Sequence, residues 1–380
     1  MINISIPYIS FKNRRDVDAA LVNASVSTYG AEVTDFENAL TLNCKMKHAV
    51  AVNSGTSALE IVARQLLNDG QVSRQSKTVA VSDYTFIATS NAVHNSGLDV
   101  CPVPCLTSNY AMSPEALKAE IETRLSNDVN NICGVYMTLP GGNVVSTLGE
   151  IALICDTFDL PLIIDAASSI AVDFDALLRL CPNLAALILS FNGNKVITSG
   201  AGGAILTNVD HLAEKIRTHI SLHRKSNYEH CGVGENKKMP ALTAILGLSQ
   251  LEELEWRISA RKNIFEIYID FLSSSKLGRI FRFSVDETVL SPSYWIAGLI
   301  PINDNNPDIV VKSRNLLRDL DISSPPFWRP LSEQTEYREF LQLPVSTRSN
   351  SLPDYLQLPS HCSVDTELLI SKMQKFEERL

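Results

Sequence analysis

The chain has 380 residues, 45% of them hydrophobic and 20% charged, so it is long enough to bury one large core and a smaller second one. Its formal net charge of −9 and isoelectric point near 5.4 argue against a nucleic-acid partner, because no basic stretch offsets the acidity. No apolar run reaches the roughly 20 residues that a membrane span needs. No secretory signal is recognised in Met1–Ser5. We therefore expect a cytoplasmic protein without a membrane or nucleic-acid partner.

The chain contains eight cysteines, at positions 44, 101, 105, 133, 155, 181, 231 and 362. They are scattered, and several fall within apolar runs that are typical of strands. Cys101 and Cys105 are close together, but no second Cys or His pair completes a zinc site. We therefore expect buried, reduced thiols and no metal site.

Residues 1–36 are expected to form an irregular arm and a helix. From about residue 31 to 245, segments with helical periodicity alternate with short apolar segments. Helices are predicted at Val33–Cys44, Ser57–Leu67, Ala88–Asn95, Ser113–Leu125 and Leu148–Phe158. Strands are predicted at His48–Asn53, Thr78–Val81, Leu98–Pro102, Asn131–Met137, Leu160–Ile164, Leu184–Leu189 and Gly203–Leu206. This alternation indicates an α/β fold: a mostly parallel, seven-stranded sheet with helices on both faces.

A different region begins with one long helical stretch, Ala241–Leu272, which contains no proline and a single glycine. The remainder mixes a strand with helices and proline-rich loops; the predicted elements are a strand at Tyr294–Ile300 and helices at Asp308–Leu320 and Thr366–Glu378. We therefore predict two domains, a large one over residues 1–245 and a smaller α+β domain over residues 246–380.

A loop of small residues, Ser54-Gly55-Thr56-Ser57, lies between the first predicted strand and the helix that follows it. At a helix N-terminus such a loop offers backbone N–H groups, hydroxyls and the positive end of the helix dipole to a phosphate. Ser, Thr and Gly before a helix are also ordinary capping residues. The loop by itself is compatible with either role.

Asp165 ends the apolar run Leu160–Ile164. A carboxylate in a partly buried site needs a cationic or hydrogen-bonding partner. Asp165 either caps the next helix or binds a pyridinium N–H, which keeps that ring protonated as an electron sink. Ala166 and Ala167 leave room for a flat ring beside it, which favours the second role.

Lys195 lies in the segment Ser190–Lys195, between two apolar runs and shortly before the glycine-rich segment 200–203. Lysines are mostly exposed, so a solvated loop tip is the simplest interpretation of this residue alone. In a pocket it would instead bind a cofactor aldehyde and act as an acid or base once substrate displaces it. Ser190 can add a hydroxyl to a phosphate site. Phe86 either stacks on a cofactor ring or joins the core.

A phosphate loop, an aspartate at a strand end and a lysine among glycines are the three features that pyridoxal phosphate needs. All three follow predicted strands, and ligands of α/β sheets bind at the carboxyl ends of strands. The combination therefore predicts pyridoxal 5'-phosphate as the cofactor, although each feature alone has an ordinary structural explanation.

Several motifs, taken in order, resemble the DegT/StrS class of sugar-nucleotide aminotransferases. The matching segments are Gly30 with Phe36-Glu37, and residues 54–59, 84–93, 165–167, 190–195, 234–239, 293–295, 327–331 and 356–360. The resemblance covers nearly the whole chain and implies the aspartate-aminotransferase fold. The segments 190–195 and 234–239 look most like the branch that aminates 4-keto sugars for bacterial surface glycans.

The resemblance also implies roles for individual residues. Lys195 resembles the Schiff-base lysine and Asp165 the partner of the pyridine nitrogen. Gly55, Thr56 and Ser190 would hold the phosphate. Phe86 would stack on the ring.

The resemblance further implies an assembly and substrates. Asn236 is similar to an asparagine that reaches the phosphate of the neighbouring subunit, so a homodimer with shared active sites is expected. The implied substrates are glutamate and a nucleotide-linked 4-keto-6-deoxy sugar.

Three positions depart from the family pattern. Ser168 stands where Gln, Glu or His is usual three residues after the aspartate, and it would make a shorter contact near the cofactor's 3-hydroxyl. Lys238 stands where an arginine is common, and the two are not interchangeable at a bidentate site. Pro325-Pro326 replaces a usual arginine. The first departure leaves the chemistry intact. The other two leave the identity of the sugar substrate undetermined.

Alternative functions are a 3-keto-sugar aminotransferase, a lyase or dehydratase of the same fold, and a regulatory protein that binds the cofactor. The presence of both Lys195 and Asp165 argues against an inactive descendant and against the sugar dehydratases that lack the lysine.

Overall fold

The computed structural model of the chain describes residues 1–68, 77–127, 131–226, 228–302, 307–341, 352 and 354–380. Within these ranges a seven-stranded sheet forms the centre of the large region. Its strands are β1 (His48–Val52), β2 (Thr78–Ser82), β3 (Asp99–Val103), β4 (Ile132–Thr138), β6 (Leu162–Asp165), β7 (Ala186–Ser190) and β8 (Gly203–Thr207).

The strands lie in the order β1-β8-β7-β6-β4-β2-β3. The neighbours from β3 to β7 are parallel, whereas β8 is antiparallel to both β7 and β1. The predicted mostly parallel sheet of seven strands is therefore confirmed, and each of the seven strands predicted for it agrees with an observed one to within two residues at either end. Because β1, β6 and β7 run in the same direction, the residues that follow them meet at one edge of the sheet.

Helices cover both faces of this sheet. In the large region they are α1 (Phe11–Val22), α2 (Ala31–Cys44), α3 (Gly55–Asn68), α4 (Ile87–Asn95), α5 (Pro114–Asn127), α6 (Leu148–Thr157), α7 (Phe174–Leu180) and α8 (Asp210–His219). Successive strand residues point to opposite faces. On β1, Ala49 and Ala51 accordingly join the apolar cluster that includes residues of α2, while Val50 and Val52 join the cluster that includes residues of α3. The near-continuous apolar strands reflect this burial on both faces.

The predicted helix Ala241–Leu272 is wrong as a single element. The structure has two helices there, α9 (Ala241–Leu251) and α10 (Leu254–Ser274), with Glu252 and Glu253 between them. The Glu253 carboxylate accepts hydrogen bonds from Ser10 Oγ at 2.6 Å and from Arg257 Nη2 at 2.8 Å. The interruption therefore occurs where the chain makes a polar contact with its own N-terminal segment, and local periodicity carries no signal for such a contact.

The remaining elements belong mainly to the C-terminal part. They are β5 (Val144–Val145), β9 (Arg224–Ser226), β10 (Glu229–His230), β11 (Phe281–Phe283), β12 (Val289–Ser291), β13 (Ala297–Pro301), α11 (Pro307–Asp319), α12 (Thr335–Phe340), β14 (Leu356–Leu358) and α13 (Thr366–Arg379). Strands β11, β13 and β14 form a three-stranded sheet. A third apolar cluster, of buried residues between 264 and 376, packs around it. The boundary near residue 245 stays a prediction.

All eight cysteines are free. Cys44, Cys101, Cys155 and Cys181 are buried as expected, whereas Cys231 is exposed. Among the described helices, none combines the length and the apolar character needed to cross a bilayer.

Candidate active site

Lys195 projects into a cavity of about 310 Å³ at the carboxyl edge of the sheet. Its side chain borders the open cavity, so the solvent-accessible surface of Lys195 is only half-buried. The protein packed around its amino group nevertheless lowers the pKa of Lys195 to about 8, and Asp165 opposes that shift. Its Nζ donates a hydrogen bond to Ser168 Oγ at 2.7 Å. A lysine of lowered pKa in a cavity has a larger neutral, nucleophilic fraction near neutral pH than an exposed one.

Asp165 is the last residue of β6, and its side chain lines the same cavity. Its carboxylate accepts hydrogen bonds from Thr89 Oγ1 at 2.5 Å and from the Ala167 N–H at 3.1 Å. Burial raises the pKa of Asp165, and these two bonds and the charge of Lys195 oppose that shift. A buried carboxylate in this setting is stabilised when a cationic donor binds to it.

A chain of buried hydroxyls leads to Asp165. Thr138 Oγ1 lies 2.7 Å from Thr85 Oγ1, which lies 2.9 Å from Thr89 Oγ1. A hydroxyl has one proton to donate. Because Thr89 donates to Asp165, Thr85 donates to Thr89 and Thr138 donates to Thr85. The hydroxyl chain therefore orients Oδ2 of Asp165, while Oδ1 accepts from the Ala167 N–H and the residue lines the cavity.

The loop of small residues lies on another wall of the cavity. Helix α3 begins at Gly55, and Ser54, Gly55, Thr56 and Ser190 all line the cavity. A Cβ added to Gly55 would lie 2.9 Å from Ser190 Cβ and 3.2 Å from Ser190 Oγ. The first turn of a helix carries N–H groups without an intrahelical partner. The absence of a side chain at Gly55 thus keeps a small cradle open between the helix start and the end of β7.

Aromatic side chains form part of the cavity lining. Phe86 precedes α4 and is 54% exposed, with its ring centroid 6.3 Å from that of Trp328. Trp295 and Trp328 also line the cavity, with their ring centroids 6.3 Å apart. Phe86 is therefore a cavity residue and not part of the buried core.

Asn236 lies outside this cavity. It is exposed and forms an isolated bridge with Ser221. Lys238 and Arg224 line a separate surface pocket with Tyr29, and their charged groups lie 4.8 Å and 5.8 Å from its ring centroid. The fold thus gathers Gly55, Thr56, Phe86, Asp165, Ser168, Ser190 and Lys195 around one cavity and places Asn236 elsewhere on the same chain.

Arg329, from the matching segment 327–331, and the departure at Pro325-Pro326 also have defined positions. Arg329 lines an open groove with Phe86 and Trp328, next to the cavity. The carbonyls of Pro325 and Pro326 accept hydrogen bonds from Gln357 Nε2 at 3.2 Å and 2.8 Å. The paired prolines therefore connect to β14.

The sequence indicates no role for Thr89, and Trp295 stands out in it only as part of the matching segment 293–295. Thr89 stands in the first turn of α4, where a threonine has no distinguishing pattern. Trp295 is held in the cavity lining by its Nε1–H, which donates to the carbonyl of Asn194, about a hundred positions earlier in the chain. Neither contact could be found from local sequence.

Known proteins resemble this chain in sequence and in fold. "Putative pyridoxal phosphate-dependent aminotransferase EpsN" of Bacillus subtilis is 28% identical over 338 residues, covering 88% of this chain and 83% of that protein. GDP-perosamine synthase of Caulobacter vibrioides is 25% identical over 373 residues, covering 96% and 94% of the two chains. The solved structure of Helicobacter pylori PseC, an aminotransferase involved in the biosynthesis of pseudoaminic acid, superposes with a TM-score of 0.86 at 19% identity and covers 100% of both chains.

The structural likeness confirms the fold. The family comparison goes further, because it matches residues 7–375, which is nearly the whole chain. This protein therefore belongs to the DegT/DnrJ/EryC1/StrS aminotransferase family.

Proposed function

We propose that this protein is a pyridoxal-phosphate-dependent aminotransferase that moves the amino group of glutamate to a nucleotide-linked 4-keto-6-deoxy sugar. The observation that carries the proposal is the meeting of Lys195 and Asp165 in one cavity, with the loop at Gly55 on another wall. A nucleophilic amine, a carboxylate for a ring nitrogen and a phosphate cradle are the parts that this cofactor requires. Family membership supports the reaction class.

The residues present fit the cofactor. Asp165 offers a buried carboxylate whose raised pKa a cationic ring N–H would counter. Gly55, Thr56 and Ser190 form the cradle that a Cβ would fill, which suits a phosphate. Phe86 lines the cavity as a candidate stacking ring, and Ser168 lies beside the Lys195 amino group.

When bound, pyridoxal phosphate supplies an aldehyde for amines and a ring that withdraws electrons from the reacting carbon. Lys195 would hold that aldehyde and, with its amino group free, would carry a proton at Nζ. Asp165 would hold a proton on the ring nitrogen. Thr89 orients Asp165, and Phe86 and Trp328 help to exclude water from the cavity.

Filling the phosphate cradle is expected to weaken cofactor binding. In Gly55→Ala the new Cβ would lie 2.9 Å from Ser190 Cβ, so the serine must move and the cradle contract. Loss of one hydrogen bond to a charged group raises the cofactor Kd about 10- to 100-fold. Absorbance titration of the cofactor-free protein with cofactor measures this Kd.

Gly193→Ala is the matched control, because its Cβ would lie 3.6 Å from Pro7 Cγ, an ordinary contact. Thermal unfolding of both variants separates local crowding from a general loss of stability. An unchanged Kd for Gly55→Ala in a folded protein would remove the phosphate role from this loop.

We include a homodimer in the proposal, because the exposed side chain of Asn236 is free to enter the active site of a partner subunit. We expect that mixing the Lys195→Ala and Asn236→Ala variants restores part of the activity, because one hybrid site then contains both native residues. The measurement is specific activity after subunit exchange, compared with each variant alone. If exchange is demonstrated and no activity returns, Asn236 does not act in the partner's site.

Cationic side chains support a nucleotide-linked substrate, because a diphosphate needs local positive charge on a protein of net charge −9. Arg329 lies in the groove that adjoins the cavity, and Lys238 and Arg224 line the pocket near Asn236. Neutral substitutions at these positions should raise KM for the sugar and leave the glutamate half-reaction unchanged, because that step precedes sugar binding. The name of the relative GDP-perosamine synthase supports a nucleotide-linked sugar.

A panel of substrates tests the function directly. The protein is first converted with glutamate, freed of excess donor, and then mixed with GDP-, UDP- and dTDP-linked 4-keto sugars, 3-keto sugars and free keto acids. Mass spectrometry of the products and the return of the aldehyde absorbance give the result. An amine at C4 supports the proposal, and amination of a 3-keto sugar alone replaces it with the 3-keto alternative. Cofactor binding without turnover of any donor or acceptor would favour a regulatory protein.

A further inference from the structure

The indole ring of Trp295 lies against the amino group of Lys195. The distance from Lys195 Nζ to the ring centroid is 4.1 Å, well within the range at which a cation is attracted to the face of an aromatic ring. Trp295 is 4% exposed and lies two residues before β13, in the C-terminal part of the chain. Tryptophan is the strongest aromatic partner for a cation.

Both ends of Trp295 are held by hydrogen bonds. Its Nε1–H donates at 2.7 Å to the carbonyl of Asn194, the residue that precedes Lys195. Its backbone N–H donates to Ser293 Oγ at 3.1 Å, and its carbonyl accepts from Arg261 Nη1 at 2.9 Å. Arg261 is itself buried and also donates to the Ser360 carbonyl at 3.0 Å. The ring is therefore fixed relative to the loop that carries Lys195.

The lysine has a second partner besides the ring. Its Nζ donates to Ser168 Oγ at 2.7 Å, while Asp165 at the end of β6 also favours its charged form. The amino group thus contacts a hydroxyl from one part of the chain and an indole face from another. These contacts limit the directions in which a flexible four-carbon side chain can point.

We propose that Trp295 is a positioning residue that holds the free amino group of Lys195 in the cavity through the face of its indole ring. In a transamination cycle the lysine is free whenever the cofactor carries the amino group or is bound to substrate, and an unrestrained lysine would then move away from the reacting carbon. This role of Trp295 in turnover rests on the proposed function, whereas the contact between the two side chains does not depend on it.

Fluorinated tryptophans test the contact without changing the shape of the ring. Each fluorine withdraws electron density from the indole face, so the ammonium form of Lys195 is stabilised less. The pKa of Lys195 is therefore expected to fall stepwise from tryptophan through mono- to tetrafluorotryptophan at position 295, by several tenths to about one unit in all. The measurement is competitive acylation of the cofactor-free full chain over a range of pH, read by mass spectrometry on the peptide that contains Lys195. Lys262, which is exposed, serves as the reference lysine.

The same substitution at Trp256 is the matched control, because that residue does not line the cavity and is 48% exposed. It should leave the Lys195 titration unchanged. A pKa that is constant or rises across the series at position 295 overturns the proposal.

Variants with natural residues extend the test to turnover. Trp295→Phe keeps an aromatic face and should lower kcat less than Trp295→Leu, with KM for glutamate changing less than kcat. Equal kcat values for the two variants would count against positioning by the ring. The labelling series needs no turnover, so a stepwise shift together with inactivity toward every substrate would support the contact and reject the proposed aminotransferase.

Discussion

Replacing Lys195 by alanine is expected to lower the rate of the glutamate half-reaction by at least about 10³-fold, because the change removes both a nucleophile and the group that moves the proton. Lys195 is the lysine that lines the cavity among the described residues, and its amino group has a pKa lowered to about 8 by burial. Stopped-flow absorbance of the cofactor after mixing with glutamate measures the rate. Borohydride reduction of the wild-type protein should attach the cofactor to the peptide that contains Lys195.

Two controls accompany this variant. Lys195→Arg keeps a positive charge but not a nucleophilic amine, so it should be as inactive as Lys195→Ala if covalent chemistry is the reason. Lys262→Ala removes an exposed lysine and should have wild-type activity. Reduction that labels a different lysine, or a half-reaction that survives in Lys195→Ala, would contradict the assignment.

Asp165→Asn is expected to retain the cofactor but to lower the glutamate half-reaction by about 10²- to 10³-fold, the scale seen when one preorganised electrostatic group is removed. The carboxylate holds the ring nitrogen protonated, and an amide of the same shape has no charge with which to do so. Asparagine can still accept from the Ala167 N–H, whose bond to Asp165 is 3.1 Å long, and its amide NH2 can donate to Thr89 Oγ1, which donates to the other oxygen of Asp165 at 2.5 Å. The fold should therefore survive. The pH dependence of the cofactor absorbance reports the protonation of its ring.

Asp83 is a matched control for this variant. It follows β2 as a second buried carboxylate whose pKa is raised by burial, but it accepts hydrogen bonds from the Ser332 N–H at 2.8 Å and Oγ at 2.6 Å. Asp83→Asn should lower the free energy of unfolding by about 1 to 3 kcal/mol and leave the cofactor spectrum unchanged. A half-reaction rate for Asp165→Asn within a few-fold of wild type would make Asp165 a structural residue like Asp83.

Much of the large region could be predicted from local sequence. The strands were found because a parallel sheet covered on both faces requires near-continuous apolar runs, and such runs end abruptly, as at Asp165. The candidate residues at 54–56, 165 and 190–195 could be brought together from the sequence because they follow strands that run in the same direction. Parallel strands place their carboxyl ends at one edge whatever their order in the sheet.

The tertiary structure alone decided the features that depend on distant contacts. The interruption between α9 and α10 accompanies contacts of Glu253 with Ser10, more than two hundred residues away in the chain. Thr89 reaches Asp165 from another element, and Trp295 reaches Lys195 from the C-terminal part. Propensity and periodicity describe a residue relative to its chain neighbours. A hydrogen bond or a ring contact across the sequence depends on how whole elements pack, so the sequence by itself determined which groups meet at the edge of the sheet, and only the packed fold determined which side chains orient them.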